Sequence, residues 1–121
     1  MRISERSALL TFVIIAAVVL PIRLLAHAVL VESNPPAGST VRGPNLPVSL
    51  HFNVRVDGSR SRCSLVMPDA SSRTIALDKQ TRPDVLSASV TGLVAGKYKL
   101  QWHFLAADGH ISRGELTFLV E

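Results

Sequence analysis

Apolar side chains recur at every second position along most of this chain, a spacing that fits pleated strands and not helices. Val48, Leu50, Phe52, Val54 and Val56 alternate with Ser49, His51, Asn53 and Arg55. Tyr98, Leu100, Trp102 and Phe104 alternate with Lys97, Lys99, Gln101 and His103, and Leu116, Phe118 and Val120 with Glu115, Thr117 and Glu121. Leu119 interrupts the last polar face. Weaker strand patterns cover 28–33, 62–67, 73–77 and 85–90. Between these runs stand turn formers: Asn34-Pro35-Pro36-Ala37-Gly38, Gly43-Pro44, Asp57-Gly58, Pro68-Asp69, Arg82-Pro83, Ala95-Gly96 and Asp108-Gly109. No stretch after the first 26 residues reads as an amphipathic helix. About seven short strands in one domain predict an all-β fold, an immunoglobulin-like antiparallel β-sandwich with Greek-key connections. Leu50, Phe52, Tyr98, Leu100, Trp102, Phe104, Leu116 and Phe118 are its expected core.

The start of the chain has a different grammar. Arg2 and Arg6 form a basic n-region, residues 8–20 are apolar apart from Thr11, and Pro21 opens a short segment ending Leu24-Leu25-Ala26. Residues 1–26 thus read as a cleavable secretory signal, with an apolar stretch of 13 residues, shorter than the roughly 20 of a spanning helix. Leu24 is large for its place before the cut, and Arg23 is unusual there. Cleavage after Ala26 leaves residues 27–121 as a single soluble domain in a bacterial periplasm or comparable exterior.

Charge and cysteine usage narrow the function. Three of the 13 basic residues and one of the nine acidic ones lie in the signal, which leaves the mature chain at a net +2. Those cations are scattered, without aromatic interleaving, so nucleic acid is not the expected partner. Cys63 is the single cysteine, so neither an internal disulfide nor a thiolate cluster can form; a small buried hydrophobe is its expected role. Nothing resembles a nucleophile with its base, a paired-carboxylate site or a phosphate loop.

The four histidines divide by context. His51 and His103 fall on the polar phase of strands and read as solvated surface residues. His27 and His110 fall at a terminus and in a turn, where binding groups gather. After cleavage His27 offers a free α-amine beside its imidazole, and these two nitrogens can close a chelate ring on one ion. The amine must lose its proton to bind, so affinity falls in acid. Asp108 and His110, one residue apart, can share a face, and Gly109 lets the backbone bend between them. Asp-Gly is also a common hairpin turn, so Asp108-Gly109-His110 alone is weak evidence for a site. Three nitrogens and one oxygen suit Cu(II).

Taken together, these residues resemble the CopC family of periplasmic copper-binding proteins. His27-Ala28-Val29-Leu30 and Ser33-Asn34-Pro35-Pro36-Ala37-Gly38-Ser39 are similar to its opening motif. Leu50-His51-Phe52-Asn53 stands at its Leu-x-Phe strand. Leu93-x-x-Gly96-x-Tyr98-x-x-x-Trp102, Ala107-Asp108-Gly109-His110 and Gly114-x-x-x-Phe118-x-Val120 resemble its closing signature. The resemblance implies a Cu(II) site made by the amine and imidazole of His27, the Asp108 carboxylate and the His110 imidazole. It further implies a monomeric copper carrier or buffer, without turnover, that serves copper resistance beside an inner-membrane copper-transport protein. Two departures qualify it. Members that hold Cu(I) use a methionine-rich loop, whereas this mature chain has only Met67, in core-like context, which makes it a Cu(II)-only variant. Asn53-Val54-Arg55-Val56 stands where many relatives have Ser-Glu-Pro-Val; Val54 cannot supply that acid's support, and Asn53 and Glu32 are the candidates to replace it. Two other functions fit the same strands: a metal-free interaction module, and a copper oxidase built on the N-terminal histidine, which requires an exposed aromatic face.

Overall fold

The computed structural model describes residues 29–121. The signal segment 1–26, its cleavage point and His27 lie outside the described residues. Eight strands follow in order: β1 (Leu30–Asn34), β2 (Thr40–Val41), β3 (Leu46–Phe52), β4 (Val56–Val66), β5 (Ser72–Ile75), β6 (Val85–Val90), β7 (Gly96–Ala106) and β8 (Ile111–Val120). One sheet has the order β1-β3-β6 and the other β2-β8-β7-β4-β5. Every pairing is antiparallel except the short parallel contact of β2 with β8.

The sheets meet through the apolar phase of each strand, so the fold is the expected all-β sandwich. Leu50 and Phe52 from β3, Leu65 from β4, Leu86 from β6, Leu100 and Phe104 from β7 and Phe118 from β8 are almost wholly buried. Phe52 and Phe104 bridge the sheets edge to face, with ring centroids 4.3 Å apart. Cys63 is buried among them, and burial pushes its thiol up to about 12. It therefore behaves as a small apolar side chain. Tyr98 is buried at the start of β7; its hydroxyl donates to Val94 O at 2.8 Å and accepts from Val94 N–H at 3.0 Å. That loop is fixed as in the tyrosine corner of immunoglobulin-like sandwiches.

Three details differ from the sequence expectation. The alternation over 48–56 is not one strand: β3 ends at Phe52, residues 53–55 bend, and β4 begins at Val56 in the other sheet. Alternation survives because the chain passes from one inward-facing phase to the next. The parallel strand β2 is only two residues long, too short to leave a periodic signal. Trp102 is half-buried at the margin of the core, stacked on Phe104 with centroids 5.9 Å apart. Its indole lies across Gly114, where an added Cβ would come within 2.5 Å of Trp102 Cζ2. Met67 packs against the core after β4, as its context suggested. Among the described residues no helix is long and apolar enough to cross a membrane.

Candidate metal centre

β7 and β8 form a hairpin whose register holds from Gly96↔Val120 to Leu105↔Ile111, and its closing turn carries Asp108, Gly109 and His110. Ala106 closes the turn by donating to His110 O at 2.9 Å and accepting from Gly109 N–H at 2.9 Å. Gly109 sits at φ +87°, a left-handed conformation that side chains with a Cβ disfavour by roughly 1–2 kcal/mol.

Within this turn Asp108 and His110 converge, as the one-residue spacing suggests. Asp108 Oδ1 accepts the His110 backbone N–H at 3.0 Å, and Asp108 Oδ2 lies 3.1 Å from His110 Nδ1. The backbone donation first, and then the imidazole contact, hold the Asp108 carboxyl below the usual carboxylate range. It stands ready as an anionic oxygen donor. The imidazole side chain is 67% exposed and that of Asp108 40%, so both are open to an incoming ion. Donors at right angles with bonds of about 2.0 Å stand roughly 2.8 Å apart, close to the observed 3.1 Å. An ion can take the place of the hydrogen bond between them with little movement. Alternatively, the carboxylate can keep Nδ1 and orient Nε2 toward the ion, the common arrangement of metal-bound imidazoles. Both arrangements use the same two residues.

These are two donors, and among the described residues no group of three His, Cys, Asp or Glu side chains gathers as a metal-binding cluster. His27, the expected source of the remaining nitrogens, lies outside the described residues. The chain just beyond it is described, and its position is informative. Val29 N–H donates to Asn53 Oδ1 at 2.8 Å, and Asn53 N–H donates to Val29 O at 3.0 Å. Two residues further along the same bend, Arg55 O accepts the N–H of Ala107 at 3.0 Å. One three-residue corner thus touches both the residue two after His27 and the residue just before Asp108.

The other histidines are placed differently. His51 is not freely solvated: Nε2 lies 2.9 Å from Asp84 Oδ2, and both side chains are 31% exposed. The imidazole contact lowers the Asp84 carboxyl. Glu32 pairs across the strands with His51, whereas Asn53 is the residue that hydrogen-bonds to Val29. His103 is half-buried on the outward phase of β7, in register with Arg62 and Arg113. Sequence reasoning missed both the His51–Asp84 pair and the corner. The first joins residues 33 apart, and the second is hidden inside an unbroken alternation.

Comparison with known proteins converges on one family. The family model described as the CopC domain matches residues 30–121. Copper resistance protein C of Pseudomonas syringae pv. tomato is 30% identical over 110 residues, covering 79% of this chain and 82% of that protein. The crystal structure of CopC from Methylosinus trichosporium OB3b superposes with a TM-score of 0.70 at 26% identity, over 78% of this chain and 94% of that one. PcoC, described as a methionine-rich copper resistance protein from Escherichia coli, has a TM-score of 0.63 at 26% identity, over 79% of this chain and 100% of the other.

Proposed function

Since this chain belongs to the CopC family, we propose that it binds Cu(II) in the periplasm and acts as a carrier or buffer in copper resistance. The signal is removed after Ala26, and the copper is held by the amine and imidazole of His27, the Asp108 carboxylate and the His110 imidazole. The observation that carries this reading is the shared corner: Val29 and Ala107 are hydrogen-bonded to the same three residues, 53–55. A free N-terminus two residues from Val29 is within reach of a turn that already presents an anionic oxygen and an imidazole. Copper is cargo here, and the chain's own work is to preorganise donors and release them. The protein acts as a monomer and exchanges its ion with an inner-membrane copper-transport protein.

Two features favour this over a Cu(I) site and over a copper oxidase. The chain has two methionines in all, one of them Met1, whereas PcoC is described as methionine rich; nitrogen and oxygen donors suit Cu(II), while thioethers suit Cu(I). Tyr98 is buried and Trp102 is turned across Gly114, so neither offers the exposed aromatic platform that a polysaccharide-attacking copper oxidase would need.

A paired substitution tests the reading. His110→Ala weakens Cu(II) binding by at least about tenfold, since a ligand counts for no less than its outer-shell supports. His103→Ala, on the same hairpin but facing the outer sheet surface, leaves binding within about twofold. Competitive titration reads both, and equal losses would contradict the assignment.

A further inference from the structure

The first ligand arm has little apolar anchorage. Val29 and Val31 are 55% and 61% exposed, and the β1–β3 ladder is irregular between Leu30 and Glu32. What continues the ladder past Leu30↔Phe52 is Asn53. An ordinary antiparallel pair at this point would exchange two main-chain hydrogen bonds. Here Asn53 N–H supplies one, to Val29 O at 3.0 Å. The other is completed by the side chain, with Oδ1 accepting Val29 N–H at 2.8 Å. This substitution occurs where the backbone leaves one sheet for the other, and the short side-chain amide of asparagine is suited to stand in for a peptide carbonyl.

From this geometry we infer that Asn53 is a positioning residue for copper: its Oδ1 fixes the N-terminal arm before the ion arrives. The inference deepens the reading above and rests on it. Asn53 need not touch the ion. Its clamp acts two residues from the chelating terminus, while Arg55 O holds Ala107 on the other arm. Without the Oδ1 contact the arm must be ordered when copper binds, and fixing one residue's backbone is worth about a tenfold change in affinity.

Copper binding, electron paramagnetic resonance and thermal melting of the mature chain, its Asn53→Ala and Asn53→Asp variants, and Asn34→Ala test this. Asn34→Ala is the control: it removes one side-chain hydrogen bond to Pro47 O at the far end of β1. Asn53→Ala is expected to weaken Cu(II) binding about tenfold and broaden the copper spectrum, while Asn53→Asp, which keeps the acceptor oxygen, restores both. Asn34→Ala is expected to lower the melting temperature without altering copper affinity. Unchanged copper binding in Asn53→Ala, or equal weakening in Asn34→Ala, would overturn the role. A readout independent of any variant is the Val29 amide proton, which is expected to exchange slowly in the copper-free wild type; exchange at the rate of an open chain would overturn the inference. A wild type with no nitrogen-rich copper signal would instead sink the copper site itself, so the two failures are distinguishable.

Discussion

Two aspartate–histidine pairs show how the same residue types take different roles. Asp108 and His110 meet inside one exposed turn, with a covalent spacing that fixes them as neighbours whether or not an ion is present. Asp84 and His51 meet across 33 positions of sequence, half-buried, with Arg82 Nε 3.8 Å from the other Asp84 oxygen. The second pair reads as structural: it ties the 81–84 loop to β3, where Phe52 N–H also donates to Asp84 O at 2.9 Å. Because His51 lowers the Asp84 carboxyl in the folded state, the ionised form favours folding. That contribution is complete above the unfolded carboxyl value of about 3.9 and is lost as pH falls through the lower folded value. Asp84→Asn should therefore melt below wild type at neutral pH, and the gap should close below about pH 4. A gap that is constant from neutral pH down to pH 2 would show that the Asp84 charge plays no part.

At the scale of elements, the β3–β4 corner and the β7–β8 hairpin carry the proposed site. The hairpin was legible in advance, because Asp108-Gly109 is a turn signal between two clear alternations. The corner was not. Asn53 and Val54 continue the rhythm of Leu50 and Phe52 so well that sequence places a single strand over 48–56, and only the main-chain partners of Val29, Ala107 and Val56 reveal the crossing. Backbone acceptors such as Arg55 O leave no mark on side-chain identity. Gly114 is the converse case, a residue whose reason is purely steric. It keeps its place in β8 opposite Trp102 because the indole fills the space a Cβ would need. Gly114→Ala should destabilise the fold by roughly 1–3 kcal/mol through overpacking, read as a lower melting temperature, with copper affinity little changed. A melting temperature equal to wild type would mean that Trp102 has somewhere else to go.

For the molecule as a whole, period-two patterning alone marks a two-sheet sandwich and most of its core, since strand phase depends only on which side chains must leave water. Strand number and sheet assignment were less legible: the two-residue β2 and the sheet change at 53–55 are set by tertiary pairing. Of the proposed donors, Asp108 and His110 come together in the turn, and the corner holds Val29 and Ala107 on one three-residue support. Under the proposal, such a scaffold gives the N-terminus its value, since a chelate that begins at the first residue would tolerate nothing ahead of it. The most direct measurement compares copper-loaded protein that starts at His27 with the same protein carrying one additional residue before His27, both folded, by electron paramagnetic resonance and Cu(II) titration. The account predicts a nitrogen-rich spectrum for the first, and for the second a changed spectrum and sharply weaker binding. Identical spectra and affinities would contradict it.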